Sequence, residues 1–147
     1  MFNETPSGGG DHGAALDILA RARPERLKAF AETLLDHMGE IAVITNRTGL
    51  VMVPMRDTVE NVDFHLGEVL VSEAHIADAT GHVGYGMVTG RDLERAMAMA
   101  VIDLRIAAVG EEPATTHFLT EERAHQAAED TARMRQVEAT RVEMETF

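Results

Sequence analysis

The chain has 147 residues, 45% of them apolar and 26% charged, with a net charge of −12 and no cysteine. That size suits one globular domain able to bury roughly 70% of its unfolded surface, and the composition excludes wholesale disorder. Without cysteine there are no disulfides, no Cys-ligated zinc, no iron–sulfur cluster and no thiol nucleophile, and the acidity argues against a nucleic-acid partner, because phosphate backbones are held by basic surfaces.

Residues 1–10, polar and glycine-rich, are expected to form a flexible tail. They lack the basic segment and apolar stretch of a signal peptide. No apolar run approaches the ~20 residues needed to span a bilayer, so a cytoplasmic protein with no membrane partner is expected. Asp11 can cap a first helix, with Ala15, Ile18, Leu19 and Ala22 at helical spacing. Pro24 stands where a second helix would begin, a position that tolerates its missing N–H. Leu27, Phe30, Ala31 and Leu34 form that helix's apolar stripe, and Gly39 is its stop.

From Glu40 the period becomes alternating. Ile41, Val43 and Thr45 lead to the turn residues Asn46-Arg47-Thr48-Gly49, and Val51, Val53 and Met55 return, which reads as a first hairpin. Pro54 cannot donate to a ladder and places its strand at an edge or near its own end. Residues 56–66 read as a polar connection. A second hairpin runs over 67–78 and 82–89, turning at Ala79-Thr80-Gly81. Thr89 and Asp92 are spaced as a capping box for a helix reaching about Val109. That helix carries Leu93, Ala96, Met97, Ala100, Val101 and Leu104 on one stripe and Met99, Ile102 and Ile106 away from it, so a second cover, from a partner, is expected. Gly110-Glu111-Glu112-Pro113 ends it. A last helix is expected over 120–139, then a short alternating strand through Val142, Met144 and Thr146. The order predicts an α+β domain: an antiparallel sheet of two hairpins, flanked by two N-terminal and two C-terminal helices.

Chemistry-bearing patterns are sparse. Seven histidines form no metal-ligand spacing, so no metal site is expected. On a strand, Glu73 and His75 share a face, either as a carboxylate–imidazole pair or with His75 facing solvent or a partner. Ser72 has no nucleophile elbow around it. Glu121-Glu122 and Glu129-Asp130 are adjacent on helices, point apart, and read as solvated faces. Gly84-Tyr85-Gly86 begins like a dinucleotide fingerprint, but the spacing to Gly90 is wrong and the preceding strand belongs to a hairpin, so no dinucleotide or other cofactor site is expected. Glycines in a strand more often admit the close approach of another backbone. Gly90 and Arg91 open a helix, where free N–H groups and a guanidinium suit an anion. Structural junction and phosphate contact both stay open there. No catalytic residue is expected in this chain.

Three stretches in series carry a further signal. Leu66-Gly67-Glu68-Val69-Leu70-Val71-Ser72-Glu73-Ala74 is followed by Gly84-Tyr85-Gly86-Met87-Val88-Thr89-Gly90-Arg91-Asp92 and by Ala100-Val101-Ile102-Asp103. With Thr48-Gly49-Leu50-Val51, Pro24 and Thr140-Arg141-Val142, this order resembles the PhnG family, a small subunit of the bacterial carbon–phosphorus lyase machinery. The resemblance covers residues 11–147 as a single domain. His65 departs from it, since members often carry Asn there. The resemblance implies a core complex with PhnH-, PhnI- and PhnJ-type subunits, and an associated PhnL-type ATPase homologue. It also implies a part in phosphonate catabolism: a transferase step in which methylphosphonate displaces adenine from the ribose C1 of ATP. It implies nucleosidase chemistry on the PhnI type and radical C–P cleavage on the PhnJ type, and carries over no catalytic residue. The competing expectations are a free-standing small-molecule or anion-binding domain and a purely structural scaffold.

Overall fold

The structure is a computed structural model that describes residues 8–56, 59 and 63–145. Among the described residues, four helices and three strands follow in the order α1 (Gly8–Arg21), α2 (Pro24–Leu35), β1 (Ile41–Arg56), β2 (Asp63–Asp78), β3 (Val83–Thr89), α3 (Leu93–Val109) and α4 (Pro113–Glu145). The strands form one antiparallel meander in the order β1-β2-β3. The α+β expectation holds, with two hairpins sharing β2.

The helices bury the stripes expected of them. Ala15, Ile18, Leu19 and Ala22 from α1 join Leu27, Ala31 and Leu34 from α2 in one core with Ala74 and Ile76 of β2, Val88 of β3 and most of α3. Pro24 occupies the first turn of α2. Residues 98–104 of α3 are all buried, a run of almost two turns that leaves no face open. The sheet covers one side and α2, with part of α1, the other. The second cover expected from a partner is therefore supplied by the chain itself.

Polar ties lock the layers. The fully buried Glu122 of α4 accepts Arg23 Nε on both oxygens at 3.2 Å, and Arg26 Nε lies 3.7 Å away. Gln126 Nε2 donates to the Ile18 carbonyl at 2.9 Å, and Arg95 Nη2 donates to Ala20 at 2.8 Å near the end of α1. These bonds satisfy groups that burial would otherwise leave costly.

Several boundaries differ from the sequence reading. Asn46 to Gly49 does not turn: β1 runs on, with Arg47 opposite Glu73 and Thr48 opposite Ser72. A tight hairpin turn wants Asn and Gly adjacent. Here a β-branched Thr and an Arg separate them, and pairing along β2 wins. Asp63 to Leu66 belong to β2 instead of a connection. The box residue Asp92 is itself the cap of α3, its side chain accepting from Arg95 N–H. Glu112 and Pro113 lead directly into α4, which starts earlier than expected and stays helical to Glu145, so the terminal strand does not form as far as that residue. Nothing between Ala139 and Val142 breaks a helix, and a few alternating residues cannot override good helix formers. The α1 helix begins at Gly8, and the rest of the expected tail lies outside the described residues.

Candidate functional site

β3 meets α3 at a seam with no room for side chains. A Cβ on Gly86 would lie 2.1 Å from the Ala96 carbonyl oxygen, and one on Gly84 2.2 Å from that of Ala100. Gly84 and Gly86 thus serve close backbone approach. The seam fixes where β3 ends and α3 begins. At that junction Gly90, at φ 92°, donates its N–H to Leu70, while its carbonyl accepts from the buried Ser72 hydroxyl at 2.7 Å. Ser72 Oγ in turn accepts the Asp92 N–H at 2.9 Å.

The cap position of α3 holds the chain's own carboxylate. Asp92 Oδ1 accepts Arg95 N–H at 3.0 Å, and Oδ2 meets Lys28 Nζ at 3.2 Å, with Glu94 3.7 Å from the same ammonium. The Arg95 bond, opposed by some desolvation and aided by Lys28, holds the Asp92 carboxyl below its usual range. Gly90 and Arg91 are neighbours at this helix end. Both backbone groups of Gly90 are engaged, so an anion there would depend on the exposed Arg91 side chain.

The histidines stay dispersed. His75 packs edge-on to Tyr85 with ring centroids 6.2 Å apart, while Glu73 lies 3.9 Å from Arg47 across the ladder. Burial, with Glu73 adding to it, pushes the Tyr85 phenol up. His82 and Thr80 close the β2–β3 turn on Asp78. Partial desolvation would raise that carboxyl, but their hydrogen bonds outweigh it and bring it down to about 2. His65 belongs to β2, its backbone opposite Pro54. Among the described residues no three His, Asp or Glu side chains are grouped to hold a metal ion.

Two constellations escaped the sequence reading. His12 Nε2 lies 2.7 Å from Oδ1 of the buried Asp103, whose Oδ2 accepts the Tyr85 N–H at 2.9 Å. The only hint was an acid in the middle of an apolar helix. Glu122, expected on a solvated face, is fully buried among arginines, because α4 lies against the start of α2. Glu121 beside it faces out to Arg26 and His117.

The largest group of exposed apolar side chains lies on β1. Val43, Ile44, Leu50 and Met52 of β1 are each more than half exposed. The alternating burial of β3 shows that only one sheet face packs on helices. The α4 helix likewise outruns the core: residues 131–141 are exposed throughout, Met134 and Val137 among them.

A family model described as "Phosphonate metabolism protein PhnG" matches residues 12–147. The chain belongs to the PhnG family. It is also similar to "Alpha-D-ribose 1-methylphosphonate 5-triphosphate synthase subunit PhnG" of Rhizobium meliloti (strain 1021), with 32% identity over 131 residues, 88% of this chain and 83% of the relative. The PhnG match takes in all seven elements, lacking only the opening turn of α1. The glycine seam, the ribbon and the long α4 therefore all lie inside the PhnG region. No helix among the described residues is long and apolar enough to cross a membrane.

Proposed function

We propose that this chain is an accessory, non-catalytic subunit of a bacterial carbon–phosphorus lyase complex in the cytoplasm, packing against a PhnI-type subunit and assembled with PhnH and PhnJ types. The assembly's step is transfer of methylphosphonate to ribose C1 of ATP. A phosphonate oxygen forms the new bond to C1, the C1–N bond to adenine breaks, and adenine leaves with a proton. The chain contributes no cofactor of its own.

The observation carrying this reading is the surplus of structure beyond the core. A two-stranded ribbon is marginal in water, and so is an unsupported stretch of helix. This chain extends both past its own core, with apolar side chains on each. The subunit wording of the related synthase protein points the same way. By contrast, Asp103, Asp78 and Ser72 are each engaged in holding the fold together.

The test is adenine release from ATP in the presence of methylphosphonate. The purified chain alone should give none, and its addition to a PhnI-type protein should raise or redirect that protein's turnover toward the phosphonate. Robust turnover by the isolated chain would defeat the proposal, as would indifference of the PhnI-type protein to it. The phosphate contact proposed for Gly90 and Arg91 is tested in the same assay. Arg91→Ala should lower product formation in an intact assembly, and unchanged kinetics would remove it.

A further inference from the structure

We infer that the free edge of β1 over residues 45–53 receives an extended strand from a different subunit, and that this strand presents a carboxylate to Arg47. The inference rests on the subunit reading above and specifies how the contact is made.

The sheet has two edges, and the chain treats them differently. At the β3 edge, the Tyr85 N–H that turns away from β2 is taken by Asp103, and α1 and α3 lie alongside. Among the described residues, β1 is left largely exposed over 45–53. Proteins blunt exposed edges with charge, proline, bulges or a covering element. In β1 the register shifts at Val43/Thr45 and at Val53/Pro54, which leaves 45–53 as an unbroken run between the two irregularities. Proline sits just past one end of that run, and the only charge within it is Arg47. Leu50, Val51 and Met52 are exposed there at 62%, 39% and 53%. An added strand would pair these backbone groups, making a fourth strand over 45–49 and a third over 50–53, where β1 and β2 run on without β3.

Charge selects the occupant. Residues 41–56 hold two arginines and no acid, in a chain of net charge −12. Arg47 is 71% exposed and reaches Glu73 only at 3.9 Å, from the β2 side. Among the described residues no second carboxylate answers it on the open side, and opposite charges facing across strands stabilise a sheet. A second copy of this chain fits poorly, because its β1 would offer Arg47 no carboxylate and would add another −12 of repelling charge. An alternately apolar segment of another protein, with Asp or Glu opposite Arg47, fits both features.

The test uses the full chain, free and in the complex isolated from its host through a tag on this chain. In the complex, amide hydrogen exchange within 45–53 should slow at least tenfold at alternate residues. Arg47→Glu and Leu50→Lys should each weaken the complex about tenfold or more, while the urea midpoint of the free variants stays at the wild-type value. A complex in which 45–53 exchanges as in the free chain, or which tolerates both substitutions, overturns the inference and spares the subunit reading. If the chain instead forms only a dimer that Leu50→Lys dissolves, a second copy is the occupant and the inference is wrong. Recovery of no complex at all defeats the subunit reading and takes this inference with it.

Discussion

Consider Gly86→Ala, which adds one methyl group at the seam between β3 and α3. The new Cβ would sit 2.1 Å from the Ala96 carbonyl oxygen and 2.9 Å from the Ala100 amide nitrogen. Both obstacles are backbone, so no rotamer change relieves them. The helix must retreat by about 1 Å, a gap that forfeits a quarter to a half of each dispersion contact it loosens. Ala96, Ala100, Leu104 and Val88 all lie on this seam or beside it in the core. Overpacking ordinarily costs about 1–3 kcal/mol, and a backbone-on-backbone clash belongs at the upper end, near ~3 kcal/mol. For a chain of this length that lowers Tm by roughly 6–12 °C. Urea unfolding of the full chain should show a lower midpoint at unchanged slope. Gly49→Ala is the matched control, since its Cβ would meet nothing within 4 Å, and it should leave the midpoint in place or raise it slightly. Equal midpoints for the two variants would refute the seam as the reason for the glycine.

Other consequences follow from particular side chains. Glu122→Ala strands Arg23 beside a buried void. It should destabilise by roughly 2–3 kcal/mol, below the usual range for a broken buried pair because Arg23 reaches solvent, and Arg23→Met combined with Glu122→Leu should recover much of it in urea melts. Asp78 has its folded pKa depressed to about 2. Its contribution is thus complete above the ordinary carboxylate value and fades as pH falls from about 4 toward 2. Carbon-detected titration of Asp78 should show this low midpoint, and Asp78→Asn should remove that limb of the acid-unfolding curve. Truncation after Asp130 removes the exposed residues 131–141 of α4 and the six that follow them. It should shift Tm by less than about 2 °C while measurably weakening the complex, and a large loss of Tm would show that α4's far half supports the core after all.

Much of the fold was legible because its signals are local. The stripes of α1 and α2, the Pro24 start, the turn after Asp78 and the stop at Gly110 each depend on a few neighbouring residues. The preference for close approach at Gly84 and Gly86 was also readable, since glycine in a strand has few other uses. Non-local competition decided the rest. Asn46 to Gly49 carries turn residues, but a long partner strand overrules them. The cover over α3 is not legible in the chain, because no pattern in α2 says which helix it will meet. Glu122 reads like its neighbour Glu121, and only the arrival of Arg23 and Arg26 from far upstream tells them apart. His12 and Asp103 are separated by 91 positions, and no spacing rule reaches that far.

The uncovered ribbon also bears on how much of this protein a cell can hold. A long apolar strand edge is as open to a neighbouring unfolded chain as to its proper companion. In the assembly proposed above, copies made in excess of their companions will clump or be cleared by proteases, so abundance is capped by the scarcer member. Synthesis of these chains in matched numbers, close together in time, is what such a shape demands.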